Sequence, residues 1–118
     1  MENAVVHFEI ISSDGAKARD FYGKHFDWAF NTDNPLNYGA TDTQSGDGNI
    51  RGGVADAFPG SSDVYVTFYI SVNDIEKVLN DLLDDGSSIA MPVMKLPGGS
   101  KMAQFFDPFG SRIGLLQS

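Results

Sequence analysis

The chain has 118 residues, 42% of them hydrophobic and 12% aromatic, enough apolar side chain to fill the core of one domain without covalent staples. It holds no cysteine, which excludes disulfides, thiolate zinc sites, iron–sulfur clusters and a thiol nucleophile. With 16 Asp and Glu against 8 singly scattered Lys and Arg, the net charge of −8 repels polyanions and anionic leaflets, so neither nucleic acid nor membrane is expected as a partner.

Met1-Glu2-Asn3 shows no basic stretch before an apolar run, and a cytoplasmic protein is expected. Val5-Val6-His7-Phe8-Glu9-Ile10-Ile11 is rich in β-formers and predicts a strand. Ser12-Ser13-Asp14-Gly15 supplies short side-chain oxygens that suit the first turn of a helix. Ala18, Phe21, Tyr22 and Phe26 follow at helical spacing, predicting a helix over about 15–25 that buries an aromatic stripe. Short strands are then expected at Trp28-Ala29-Phe30, Tyr38-Gly39-Ala40-Thr41 and Gly52-Gly53-Val54-Ala55, with a polar loop over 43–51.

The pattern recurs. A β-branched strand is predicted over 64–72, and Asn73 with Glu76 has the spacing of a reciprocal capping box. Ile75, Val78, Leu79 and Leu82 mark an amphipathic helix, stopped by a left-handed Gly86. Strands over 88–91, 102–106 and 112–116 complete the chain, with the turn Asp107-Pro108-Phe109-Gly110 between the last two. Each half thus reads strand, helix, then three strands, with His7 over Thr67 and Ile10 over Ile70 at an offset of 60. The expected fold is α+β: one domain of two βαβββ modules, about 4–58 and 63–117, whose curled mixed sheets surround a cup.

The strand His7-Phe8-Glu9-Ile10, the run from Asp14 through Phe21-Tyr22 to Phe26-Asp27-Trp28, and Ile70-Ser71-Val72-Asn73-Asp74-Ile75 stand at telling intervals. With the C-terminal Phe106-Asp107-Pro108-Phe109-Gly110-Ser111-Arg112-Ile113-Gly114-Leu115, they make the whole chain resemble the vicinal oxygen chelate superfamily of glyoxalase I, bleomycin-resistance proteins and extradiol dioxygenases. The resemblance implies a homodimer and a cup holding a divalent ion on four strand-borne ligands. The first ligand position falls on His7, the third on Thr67, the fourth on Gly114, and the second on Gly52 or Gly53. Glycine offers no ligand and threonine a poor one, so no metal and no cofactor is expected, His7 being the one retained ligand.

His7 and Glu9 alternate onto one strand face, and they are the candidate catalytic pair. They could ligate a metal with Asp56 or Asp107 as a third donor, but bonding each other or an organic ligand is the favoured reading. A small organic molecule is expected in a cup lined by His7, Glu9, Thr67, Tyr69, Phe106 and Gly114, with Gly114 leaving room for it. Gln104 shares that expectation, and Leu96-Pro97-Gly98-Gly99-Ser100-Lys101 is expected as a hairpin loop, favoured as plainly solvated, with a lid whose Lys101 reaches an anionic ligand as the alternative. His25 is expected on the solvent side of a helix end, and Trp28 and Phe105 in the core. The function that follows is a small-molecule-binding protein without the family metal. The alternative is a lyase or isomerase using His7 and Glu9, with displaced metal ligands or with metal-free acid–base chemistry.

Overall fold

The computed structural model describes residues 2–43, 50–57 and 61–118, so residues 44–49 of the expected 43–51 loop lie outside the described residues. The elements in chain order are β1 (Val5–Ser12), α1 (Gly15–Phe26), β2 (Gly39–Thr41), β3 (Arg51–Asp56), β4 (Tyr65–Ser71), α2 (Ile75–Asp84), β5 (Ser88–Lys95), β6 (Lys101–Phe106) and β7 (Arg112–Gln117). This α+β order matches the expected one except at Trp28-Ala29-Phe30, which forms no strand. The bridge there is a single pair, Asn31 with Ala40. No helix among the described residues is long and apolar enough to cross a membrane.

The chain divides into two compact units, His7–Val66 and Met1–Val6 with Thr67–Ser118. The N-terminal residues thus group with the later half, where the Asn3 amide donates to the Ser71 carbonyl at 2.6 Å and the Ser71 amide donates to that of Ala4 at 2.8 Å.

In the His7–Val66 unit, β1 pairs parallel with β3, and β3 pairs antiparallel with β2. Asp14 caps α1 as its sequence suggests, its carboxylate accepting from the Lys17 amide at 3.1 Å. Asp56, at the end of β3, accepts from the Gly15 amide at 2.6 Å and ties the first turn of the helix to the sheet. The aromatic stripe of α1 is not buried as expected: Phe21 is 54% and Phe26 60% exposed. The rings pack on one another instead, with Tyr22 stacked on Trp28 at 5.4 Å and Phe26 at 6.0 Å from that indole.

In the other unit, β4 pairs parallel with β7, which continues antiparallel through β6 to β5. α2 lays Ile75 and Leu79 against Val72, Ala103, Phe105 and Leu115 in one buried apolar cluster of this unit. Its N-cap is Asp74, accepting from the Lys77 amide at 3.2 Å, and not the Asn73–Glu76 box. The box is one residue early because Asp74 already presents a carboxylate at the position where the chain turns helical. Gly86 takes the left-handed conformation expected of it, with φ of 101°.

A polar cluster on the first strand

Alternation along β1 sends Phe8 to the helix side and His7 and Glu9 to the opposite face. There Glu9 is 8% exposed, and two phenols from outside β1 solvate its carboxylate. Tyr38 donates to Oε2 at 3.0 Å and Tyr65 to Oε1 at 3.4 Å. The Tyr38 oxygen also stands 2.9 Å from His7 Nε2. A phenol has one proton, and here it goes to Glu9, so the second bond requires the hydrogen on Nε2 with His7 donating to the Tyr38 oxygen. Burial pushes the His7 imidazole below the usual histidine range, which favours its neutral form. The result is a directed chain, His7 to Tyr38 to Glu9, along which protons can be held or passed.

Glycine makes the chain geometrically possible. Gly53 sits opposite Glu9 in the β1–β3 register, and a Cβ there would overlap the Tyr38 ring. Gly52, opposite Phe8, does the same service on the other face, where a Cβ would overlap the Phe8 ring. The two glycines that the resemblance offers as the second ligand position are therefore seats for aromatic rings.

The remaining ligand positions are in the other unit. The Thr67 hydroxyl donates to the Arg112 carbonyl at 2.7 Å. Gly114 lies opposite Tyr69 in the parallel register, and the room expected above it is taken by the Tyr69 ring, 3% exposed. Gln104, fully buried, donates to the Tyr69 hydroxyl at 2.6 Å and accepts from Arg112 Nε at 2.7 Å. Tyr69 packs with Met91 and Met102, so this face of the unit is filled by its own side chains around Gly114. Phe106 shares the strand face of Gln104 and carries the Arg112 guanidinium over its ring at 5.6 Å.

Other candidates are committed elsewhere. Lys101 is not on a loop: it opens β6 and bonds Glu76 at 2.6 Å, an ion pair that also holds the Glu76 carboxyl below the usual range. Asp107 accepts from the amides of Phe109 and Ser111 at 2.9 Å each, closing the turn, and Asp56 caps α1. His25 is exposed at the end of α1, 4.7 Å from the Phe21 ring. Among the described residues no group of three or more His, Cys, Asp or Glu is arranged to hold a metal ion.

Tyr38 and Tyr65 are the residues that the sequence does not announce. Tyr38 precedes β2, where the Asn34 side chain pins its backbone from both sides, accepting from its amide at 2.8 Å and donating to its carbonyl at 2.7 Å. An asparagine four residues before a tyrosine, closing a turn of its own, is the signal that could have located it.

The model of the Glyoxalase/Bleomycin resistance protein/Dioxygenase superfamily matches residues 4–115. A search of curated proteins gave no match. Among solved structures, the chain is similar to a Streptomyces coelicolor methylmalonyl-CoA epimerase in complex with 2-nitronate-propionyl-CoA, at 13% identity and a TM-score of 0.69, covering 100% of this chain and 99% of that one. It is also similar to methylmalonyl-CoA epimerase from Mycobacterium tuberculosis (15% identity, TM-score 0.61, 96% and 86% covered). A superfamily member from Vibrio splendidus 12B01 is similar at 20% identity, with a TM-score of 0.60 and 98% and 99% covered. At such identities the likeness is one of fold.

Proposed function

The chain belongs to the glyoxalase/bleomycin resistance protein/dioxygenase superfamily, and from that premise we propose a small-molecule-binding protein that works without the divalent metal of the superfamily's metalloenzymes. The observation that carries the proposal is the buried Glu9 carboxylate, held by Tyr38 and Tyr65 beside a neutral His7. Burying a carboxylate is costly, and a core gains little from it that an apolar side chain would not supply. A preorganised cluster of this kind is suited to receive the polar head of an organic ligand. A divalent ion fits the family positions poorly: one imidazole already bonded to a phenol, one hydroxyl already donating to a carbonyl, and glycines under rings.

The test is thermal unfolding with propionyl-CoA, small 2-oxo acids and divalent ions as separate additions. A ligand should raise the melting temperature by mass action, and Glu9→Gln or Tyr38→Phe should remove the shift. A shift with metal alone, lost in His7→Ala, would overturn the metal-free reading. No shift with any organic probe, together with no co-purifying small molecule in native mass spectrometry, would overturn the binding reading.

The proton chain itself favours one second reading, an isomerase-type enzyme. His7 heads this chain and is the group that would take a proton from a carbon next to a carbonyl, with Glu9 stabilising the resulting charge through Tyr38. Some fold neighbours are epimerases of a CoA thioester. Deuterium from solvent should then enter propionyl-CoA at its α-carbon in the presence of the protein, and Glu9→Gln should slow this about a hundredfold. A cytoplasmic location and a homodimer belong to the same proposal. The first rests on the cysteine-free acidic composition, the second on the exposed Phe21 and Phe26.

A further inference from the structure

On the helix side of β1, the face away from His7 and Glu9, a groove of about 540 Å³ runs between α1 and residues 28–32. Arg19, Asp20, Gly23 and Lys24 form its helical wall, with Trp28 and Phe30 opposite. The sequence scatters its 8 cations, yet two of them meet here, and neither makes an ion pair among the described residues. Against the single carboxylate of Asp20, the groove is locally positive in a chain of charge −8.

One residue on each wall, Arg19 and Trp28, is held by contacts of its own. Arg19 passes its aliphatic stem over Gly39, where a Cβ would overlap it, and Nη1 donates to the Val54 carbonyl at 3.0 Å. One of the five guanidinium N–H donors is thereby anchored, and the fork keeps further donors in a set orientation. Trp28 packs against Tyr22, stacked at 5.4 Å, and against Phe8 at 5.6 Å, with Phe30 at 6.4 Å. Gly23 lets the chain close up here, since a Cβ on it would come within 3.1 Å of the Trp28 carbonyl oxygen. A glycine inside a helix costs about 1 kcal/mol relative to alanine, so this wall is held close at some expense.

We propose that this groove is a binding site for a small aromatic anion, a planar ring carrying a phosphate or carboxylate head. The ring lies against the Trp28 and Phe30 wall, and the head meets Arg19 and Lys24. The site is separate from the His7–Tyr38–Glu9 cluster and stands whether or not that cluster binds a ligand, because the sheet lies between the two faces.

Trp28 is the one tryptophan of the chain, so its fluorescence reports the groove directly. Titration with phenyl phosphate should change the emission saturably with a Kd on the order of 1 mM or tighter. Inorganic phosphate lacks the ring and benzyl alcohol lacks the charge, and each should bind at least about tenfold more weakly. Lys24→Gln should weaken phenyl phosphate about fivefold, and Asp20→Asn should tighten it, with the gap between the two narrowing in high salt. Both positions are exposed, so neither change threatens the fold. Benzoate in place of phenyl phosphate separates the two heads, and saturable binding of either supports the site. The proposal is overturned if neither aromatic anion gives a saturable change, or if Lys24→Gln and Asp20→Asn leave their affinity unmoved.

Discussion

Tyr38 decides the chemistry of the polar cluster, and Gly53 decides whether Tyr38 can be there. Gly53→Ala puts a methyl group where the phenol ring lies, so the ring must leave both Glu9 and His7. We expect a loss of about 2–3 kcal/mol in urea unfolding, more than for Tyr38→Phe, which keeps the ring and loses only its hydroxyl. His7 adds a pH dependence of known sign. Its folded-state pKa lies below the 6.5 of an exposed imidazole, so the unfolded chain takes up the proton first as pH falls. Stability should therefore drop as pH falls below about 6.5, and His7→Gln should flatten that part of the curve, as unfolding at pH 7.5 and 5.5 would measure. Strand alternation was enough to put His7 and Glu9 on one face. It could not supply Tyr38, which arrives from 29 residues beyond Glu9 through an irregular segment. Nor could it show that the space over Gly114 is claimed by Tyr69: a glycine in a sequence announces a missing side chain but not the neighbour that fills the gap.

At the scale of elements, the regular pieces were legible because their signals are local. Both helices and the strands of the second half follow from hydrophobic period and turn residues, and α1 starts from the cap its sequence offers. The failures came where several local signals compete. Asn73 and Asp74 are both good caps, and the carboxylate takes the position. Asp74→Ala should therefore cost about 1 kcal/mol, while Asn73→Ala should stay within about 0.5 kcal/mol, a difference that paired thermal melts resolve. The Trp28-Ala29-Phe30 segment has strand-forming residues, but its indole finds partners on α1 rather than in a ladder, and Phe30 packs against that indole. The same ring-on-ring packing explains why the α1 stripe, although helical in period, stays half open.

At the scale of the whole molecule, the two halves build one frame and fill it differently. In each, a parallel strand pair sets a glycine opposite a buried residue, Gly53 opposite Glu9 and Gly114 opposite Tyr69. One frame holds an ionisable cluster and the other a tyrosine among methionines. The repeat was readable as a pattern of elements. The difference in what fills the two frames was not, because it depends on which distant ring reaches each glycine. Phe21 and Phe26 bear on assembly: sedimentation should give the mass of two chains, and Phe21→Ser with Phe26→Ser should shift it toward one. A mass of one chain for the unaltered protein would remove the dimer.

Gly52 and Gly53 are neighbours on β3, yet one seats Phe8 behind the groove and the other seats Tyr38 beside the polar cluster. The strand is thus a partition one peptide thick, with a separate tenant on either side. A methyl group at 52 presses on the wall that backs Trp28, and a methyl group at 53 presses on the proton chain. Two substitutions one residue apart can therefore edit the two surfaces in turn, each serving as the control for the other.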